Sequence, residues 1–460
     1  MKNVKHVGVI DIGKTNAKVA VVDIESEQEI GVLTRPNDVL PGPPYPHFDI
    51  EGHWNFICLA LKQLHEAHGI DALSVTAHGA SGVLLDKDGN LAAPVIDYEF
   101  TGPDDLAPEY NAIRPSFEET GSPHLGMGLN VGAQLFWQFK SDPELSDRTA
   151  TFLTYPQYWT YRLTGIQANE VSSLGCHTDL WCPHENHFSS LVECLGLAGK
   201  MAPVKRAVDC MGSILPEIAA KTGLPKDTLV SCGIHDSNAS LYPHLLKRQA
   251  PFSVVSTGTW VIVLSVGGAK VVLDPTRDTL VNVNALGDLV PSARFMGGRE
   301  FEMVMDGCRK SCTGADVARV LEKNFMLLPA VDPRSGPFQG RQCQWNTDEY
   351  SLSDGERFVA ISFYLALMTA ECLEMTGAMG PVIVEGPFAR NMQYLAMLHA
   401  ATGRAVKTSD GSSTGTSIGA ALLCAASNKQ TETKQRQHIE AIDTTARHSR
   451  YARKWRELLG

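Results

Sequence analysis

The sequence has no surplus of positive charge. Its 40 lysines and arginines are outnumbered by 51 aspartates and glutamates, for a formal net charge of −11. Such a balance cannot neutralise a run of phosphates, so nucleic-acid binding is not expected, although a local basic site for one nucleotide is compatible with it. No apolar run approaches the ~20 residues needed to span a bilayer, so no membrane partner is expected either. The opening MKNVKHVGVI is basic but enters a strand at once and shows no small-residue cleavage site, and it is not read as a signal peptide. A patterned cysteine framework is also missing. The 11 cysteines are scattered and odd in number, which suits reduced thiols and a cytoplasmic setting.

What is present is enough material for more than one core. The chain has 460 residues, 43% of them hydrophobic, and two domains of roughly 200 residues or more are expected. The stretch 7–23, VGVIDIGKTNAKVAVVD, reads as strand, tight turn, strand. Gly13 allows backbone N–H groups to approach an anion, and Lys14, Thr15 and Asn16 add a charge and polar tips. Asp11 places a carboxylate where a hard cation could sit. The turn therefore suits a phosphate chain with magnesium, although an ordinary hairpin with a solvated lysine has the same composition.

Further along, Trp54, Ile57, Cys58, Leu61 and Leu64 recur at helical spacing. A strand at 73–75 delivers Thr76, Ala77, His78 and Gly79 to its carboxyl end, and a short strand is expected at 94–98. Helices are expected at 129–139 and 155–163, the second ended by Thr164-Gly165. A strand at 229–232 runs into GIHDSNAS, with a helix from about Ala239. Polar residues gather at strand ends, where ligands bind in open α/β sheets.

The stretch 253–265, SVVSTGTWVIVLS, repeats the outline of the opening hairpin and suggests a duplicated architecture. The boundary is placed near 245–251, giving domains 1–246 and 247–460. A long helix follows around 358–375, then a strand at 382–384 leading to Glu385-Gly386-Pro387, a helix to Gly403, and another marked by Ile418, Ala421, Leu422 and Ala425 behind Thr414-Gly415-Thr416. Residues 427–460 turn polar and charged and are expected on the surface, helical in part.

Two phosphate-type hairpins with Asp236 at a strand end form a sensible set for phosphoryl transfer, which asks for a phosphate clamp, a bridging cation and a base. Asp236 is the candidate base; helix N-capping is the competing role for an aspartate at that position.

Taken in order, these segments resemble the FGGY carbohydrate kinases. DIGKTNAK is similar to the first phosphate motif of that family, TAHGASGVLLDKDGN to the sugar-site stretch, RLTG at 162–165 to a recurrent segment, and GIHDSNAS to the segment carrying the catalytic aspartate. STGTW resembles the second phosphate motif, VIVEGPFARNMQYLAMLHAATGRAV the adenosine segment, and TGTSIGAALL the glycine–alanine helix that closes it. The resemblance implies an α/β protein of two ribonuclease H-like domains, of the actin and hexokinase type, with an interdomain cleft that closes to exclude water. The first domain would bind sugar and the second ATP. Asp11 would position magnesium and Asp236 would deprotonate the sugar hydroxyl. Gly13, Lys14, Thr15, Asn16, Gly258, Thr259, Gly386 and Asn391 would hold the nucleotide. His78, Gly79, Tyr98 and Glu99 are the candidate sugar contacts, with capping and packing as their competing roles.

Departures narrow the substrate. Glu385-Gly386-Pro387-Phe388 has less glycine than the usual adenosine segment. The Arg-Glu pair of glycerol kinases is absent, and Thr76 and Ala77 stand where xylulose kinases carry glutamine and methionine. The pattern is nearer the rhamnulose and fuculose kinases, so a ketopentose or 6-deoxyketohexose is expected. A catalytically silent sugar sensor on the same fold is the other reading, and a homodimer is a candidate assembly. The crowd of Cys176, His177, Cys182, His184 and His187 does not match zinc-ligand spacing and is read as a β-turn without metal. Trp137, Trp159 and Trp181 are read as core or cleft walls.

Overall fold

Strand β1 (His6–Ile12) pairs antiparallel with β2 (Asn16–Asp23), Val7 opposite Val22 and Ile10 opposite Val19. In this computed structural model, which describes residues 4–408, 415–425 and 446–460, the expected opening hairpin is therefore formed. β2 also pairs with β3 (Gln28–Pro36). Helix α1 (Ile50–His68) starts where the Asp49 carboxylate accepts the Gly52 N–H, and it buries Trp54, Ile57, Cys58, Leu61 and Leu64. The chain then returns as β4 (Ala72–Ala77), parallel to β1 with Asp11 opposite Thr76. With β5 (Cys210–Ser213) and β6 (Leu229–Ser231) the sheet order is β5-β6-β4-β1-β2-β3, and the short strand Ile234–His235 also pairs with β4. Helix α2 (Asp236–Lys247) follows directly.

Three local expectations change. Residues 94–98 are not a strand, because Asp97 turns the chain: its carboxylate accepts the Glu99 N–H and its carbonyl the Phe100 N–H. The helix expected from Ala239 starts at Asp236, in register with the strand end before it. The helices near 129 and 155 form as Val131–Ser141 and Tyr155–Thr164, the latter closed by Gly165 in the left-handed region at φ 74°.

The described residues divide into two compact units, 4–247 with 281–289 and 415–425, and 248–280 with 290–408 and 446–460. The helix Gly415–Ala425 thus packs in the first unit, against α2, β4 and β1, and a single cut at 246/247 does not describe the division. Its small residues are the reason: a Cβ on Gly419 would lie 1.8 Å from the Ala239 carbonyl oxygen, an approach only glycine permits. Thr414 lies outside the described residues, as does 426–445.

The second unit repeats the opening motif. β7 (Phe252–Thr257) pairs antiparallel with β8 (Val261–Val266) and parallel with β11 (Val382–Glu385) in a sheet ordered β9-β10-β8-β7-β11-β12, where β9 is Thr279–Val283, β10 Leu289–Phe295 and β12 Val406–Thr408. Helix α3 (Gly297–Val304) follows β10, and α4 (Asp354–Met375) starts in a capping box of Ser353 and Glu356. By length and composition α4 could cross a membrane, contrary to the expectation that no such run exists, but 78% of that apolar window is buried within the fold. Helix α5 (Met392–Thr402) ends at Gly403, and α6 (Ala446–Leu459) closes the chain. α6 corrects the expectation of a surface tail. Tyr451, Ala452 and Trp455 form a narrow apolar stripe hidden among basic residues; Trp455 is fully buried and its indole N–H donates to the Leu327 carbonyl at 2.8 Å.

Candidate active site

Asp236 stands where a strand hands over to a helix. Ile234 and His235 pair in parallel with Thr76 and Ala77, so Asp236 and His78 leave the sheet side by side. The Asp236 carboxylate accepts the Ser237 N–H at 2.6 Å and the Ser237 hydroxyl at 3.3 Å, and lies 3.2 Å from His235 Nε2. Its side chain keeps 34% exposure, so a solute can reach it. Burial of the surrounding site pushes its pKa up to about 6 against the downward pull of Ser237. That value suits a base that must be charged yet willing to take a proton.

Asp11 belongs to the same group. Lys18 Nζ lies 3.3 Å from its carboxylate. Burial raises it to about 6; Lys18 pulls it down, and the charge of Asp236 pushes it further up.

The sugar-side candidates surround His78. Its ring packs between Phe48, Tyr98 and Tyr155, with centroids 5.3, 5.1 and 4.9 Å away. Both ring nitrogens are buried without a hydrogen-bond partner. Burial, with a smaller push from the charge of Lys14, brings its pKa down to about 3, so the ring is neutral. Two orphaned nitrogens in a buried ring are costly by about 1–3 kcal/mol each and ask for a hydroxyl. Gly79 is dictated by packing: a Cβ there would meet the His235 ring at 2.7 Å. Tyr98 is raised by burial and by Glu99, and Glu99 is exposed.

Lys14 departs from expectation. Its amine pairs with Asp97, and with Glu99 at 3.1 Å, and lies 4.9 Å from the Tyr98 ring centroid. Its charge is thus directed to the sugar-side residues rather than held over the turn. Gly13 spends its N–H on the Asn16 carbonyl at 2.9 Å and so closes the turn instead of offering that N–H to an anion. Asn37 braces the turn, donating its amide to the Gly13 carbonyl at 2.7 Å and its backbone N–H to the Thr15 carbonyl at 2.9 Å. Thr15 and Asn16 are exposed at its tip.

In the second unit, the Gly258 N–H donates to the Trp260 carbonyl at 2.9 Å, and Thr259 accepts the Gly298 N–H at 3.1 Å. A Cβ on Gly298 would lie 2.0 Å from the Gly258 carbonyl, so the start of α3 sits directly against this turn. Gly386, at φ 81°, is pressed on Thr257, whose carbonyl a Cβ would meet at 1.9 Å. Asn391 plays a structural part. Its carboxamide oxygen caps α5 through Gln393 and Tyr394, both at 3.1 Å, and its nitrogen donates to the Ser362 hydroxyl.

The structure adds residues the sequence reading passed over. His235 adjoins Asp236, and Asn238 and Cys176 flank His235, with the Cys176 sulfur 3.7 Å from His235 Nε2. Glu170, fully buried and raised to about 7 by that burial, accepts from Ser172 and Ser173, and Ser172 in turn accepts the His235 N–H at 3.4 Å. Only the adjacency of His235 to Asp236 was visible in sequence; the rest arrive from distant segments. Cys176 is thereby separated from Cys182 of the cysteine–histidine crowd, and Trp159 and Trp181 are buried, Trp137 partly so.

Comparison with known proteins settles the family. The N-terminal domain of the FGGY family of carbohydrate kinases matches residues 6–242, and the C-terminal domain of carbohydrate kinase FGGY matches 249–434. The chain belongs to the FGGY family. A carbohydrate kinase from Novosphingobium aromaticivorans is 34% identical, with a TM-score of 0.89 over 98% of this chain and 100% of that one. The L-fuculokinase of Escherichia coli K12 is 26% identical over 212 residues, 44% of this chain and 43% of the fuculokinase. The putative sugar kinase YoaC of Bacillus subtilis is 28% identical over 52% of this chain and 50% of its own. The matched region spans about half the length of these curated relatives.

The residues of this FGGY chain fit the groups its family implies. Asp11 and Asp236 offer oxygen donors of the kind a hard cation takes, and burial raises both to about 6, against the pull of Lys18 on Asp11 and of Ser237 on Asp236. The turn at Gly258 is open on its Cα side, where a Cβ would meet nothing nearer than the Trp260 carbonyl at 3.9 Å, and so leaves room for a phosphate, whereas Gly298 and Gly386 are taken up by packing against backbone.

Proposed function

We propose that this chain transfers the γ-phosphoryl group of ATP to a hydroxyl of a small sugar, a ketopentose or 6-deoxyketohexose, on a pair of ribonuclease H-like units. The observation that carries the reading is Asp236: a reachable carboxylate with pKa about 6 beside a neutral histidine whose ring nitrogens lack partners. His78 receives a sugar hydroxyl, and Tyr98 walls the same pocket. Asp236 accepts the proton of the attacking hydroxyl, a contribution of ~10²–10⁴-fold for a positioned base. Gly258, Thr259 and Gly386 bind the nucleotide. Magnesium, held through Asp11, supplies neutralisation of phosphate charge. The proposal carries a cytoplasmic setting and a small-molecule sugar as partner.

The test is ADP release across a panel of ketoses and, as controls, glycerol and aldoses. Release that depends on one ketose supports the proposal. Sugar-independent background alone, with a ketose still raising the melting temperature, would make the chain a silent sensor instead.

A further inference from the structure

A hairpin apart from Asp236 and His78 gathers three metal-ligating side chains. Its strands, Trp181–Cys182 and His187–Phe188, pair antiparallel with Cys182 directly opposite His187, so both side chains leave one face. The N–H groups of Glu185 and Asn186 both donate to the Cys182 carbonyl, at 3.3 and 2.8 Å, and Asn186 takes φ 60°. This tight return brings Glu185 back over the pair. The Cys182 sulfur, a Glu185 carboxylate oxygen and a His187 ring nitrogen lie within 4.8 Å of one another.

The histidine is oriented for ligation. His187 Nδ1 is 2.7 Å from the Phe188 carbonyl, an acceptor only, so Nδ1 carries the hydrogen. Nε2 is left 3.1 Å from a Glu185 carboxylate oxygen. Two lone-pair atoms facing each other at that separation require a cation with them, either a proton or a metal ion. The sulfur is held from the other side, where the Cys182 thiol donates to Glu119 at 3.7 Å and Glu119 is itself fixed by the Ser190 N–H at 2.8 Å.

We propose that Cys182, Glu185 and His187 bind one borderline-soft divalent cation, zinc by their chemistry, with water as the remaining ligand. One sulfur, one nitrogen and one oxygen from protein with an open position is a donor set zinc accepts and magnesium does not prefer. Zinc–ligand bonds of ~2.0–2.3 Å place tetrahedral donors roughly 3.5 Å apart. Closing the set onto an ion therefore asks for a small inward shift, and the exposed side chains of Glu185 and His187 are free to make it. Binding exchanges the thiol proton for the metal, and the proton passes to solvent. The sequence pattern hid this set because it pairs a cysteine with a histidine across a hairpin and recruits a glutamate; Cys176 is turned to His235 instead.

The test is a titration of the chelator-treated full chain with cobalt(II), then zinc(II). One equivalent of cobalt should give thiolate-to-metal charge-transfer absorption, abolished by one equivalent of zinc. Cys182→Ser should remove the band, and His187→Ala should weaken zinc binding at least about tenfold. Cys210→Ser, which replaces an exposed thiol elsewhere, should change neither. Because Cys182 is buried, the exposed His187 supplies the deciding variant if Cys182→Ser fails to fold. Absence of the band, its survival in Cys182→Ser, or unchanged zinc affinity in His187→Ala overturns the proposal.

Discussion

His235 Nε2 lies 3.2 Å from the Asp236 carboxylate, and the neighbours of His235 decide what that contact is. The Asn238 amide nitrogen is 3.3 Å from His235 Nδ1, so Nδ1 accepts and Nε2 carries the hydrogen toward Asp236. Burial holds the pKa of His235 down at about 4, so the ring stays neutral. It orients the carboxylate without contributing a charge that would stop it from taking a proton.

Asp236→Asn should leave sugar binding intact while turnover falls at least about a hundredfold, the lower end of what a positioned base supplies. Calorimetric sugar binding beside ADP-release kinetics measures both. Near-normal turnover in this variant would remove Asp236 from the reaction.

The pH dependence follows from the same group. Asp236 works as a base only when ionised, so kcat/KM should fall as pH drops through about 6, with Asp11 titrating in the same range. Stability should move the other way. A carboxylate with a raised pKa binds its proton more tightly folded than unfolded, so its stabilisation is full below the ordinary value of 3.8 and is lost as pH rises through about 6. Asp236→Asn should thus raise the melting temperature at neutral pH, and by less under acid conditions. A melting temperature that does not rise at neutral pH would contradict this.

His78→Phe preserves the ring among Phe48, Tyr98 and Tyr155 and deletes both nitrogens. The KM for sugar should rise at least about tenfold, the worth of one lost buried hydrogen bond, with the melting temperature held or raised. An unchanged sugar KM would place the sugar elsewhere.

Gly79→Ala forces a methyl group to within 2.7 Å of the His235 ring. The ring must shift, and Asp236 with it, so kcat should fall by at least about tenfold while sugar affinity changes less. Equal losses in both would point to a collapsed pocket rather than a misplaced base.

Trp455→Ala should cost about 3–5 kcal/mol in chemical denaturation, as expected for emptying a fully buried tryptophan site. A loss within experimental error would mean that α6 is dispensable to the second unit.

Much of this protein could be read from its residues in a line. Both hairpins, the helix stripes and the strand-end placement of Asp236 depend on apolar period and on turn residues, which are local properties. Ordered motifs were enough to point to the family, since each records a backbone requirement at one position. Tertiary structure decided what those positions contact. It turned Lys14 to Asp97 and Glu99, made Asn391 a helix cap, placed Gly415–Ala425 on the first unit, and drew Trp455 into the core of the second. It also set the pKa values of Asp11 and Asp236 and separated Cys176 from Cys182. These depend on desolvation and on charges brought together from distant segments, and a periodic pattern along the chain records neither.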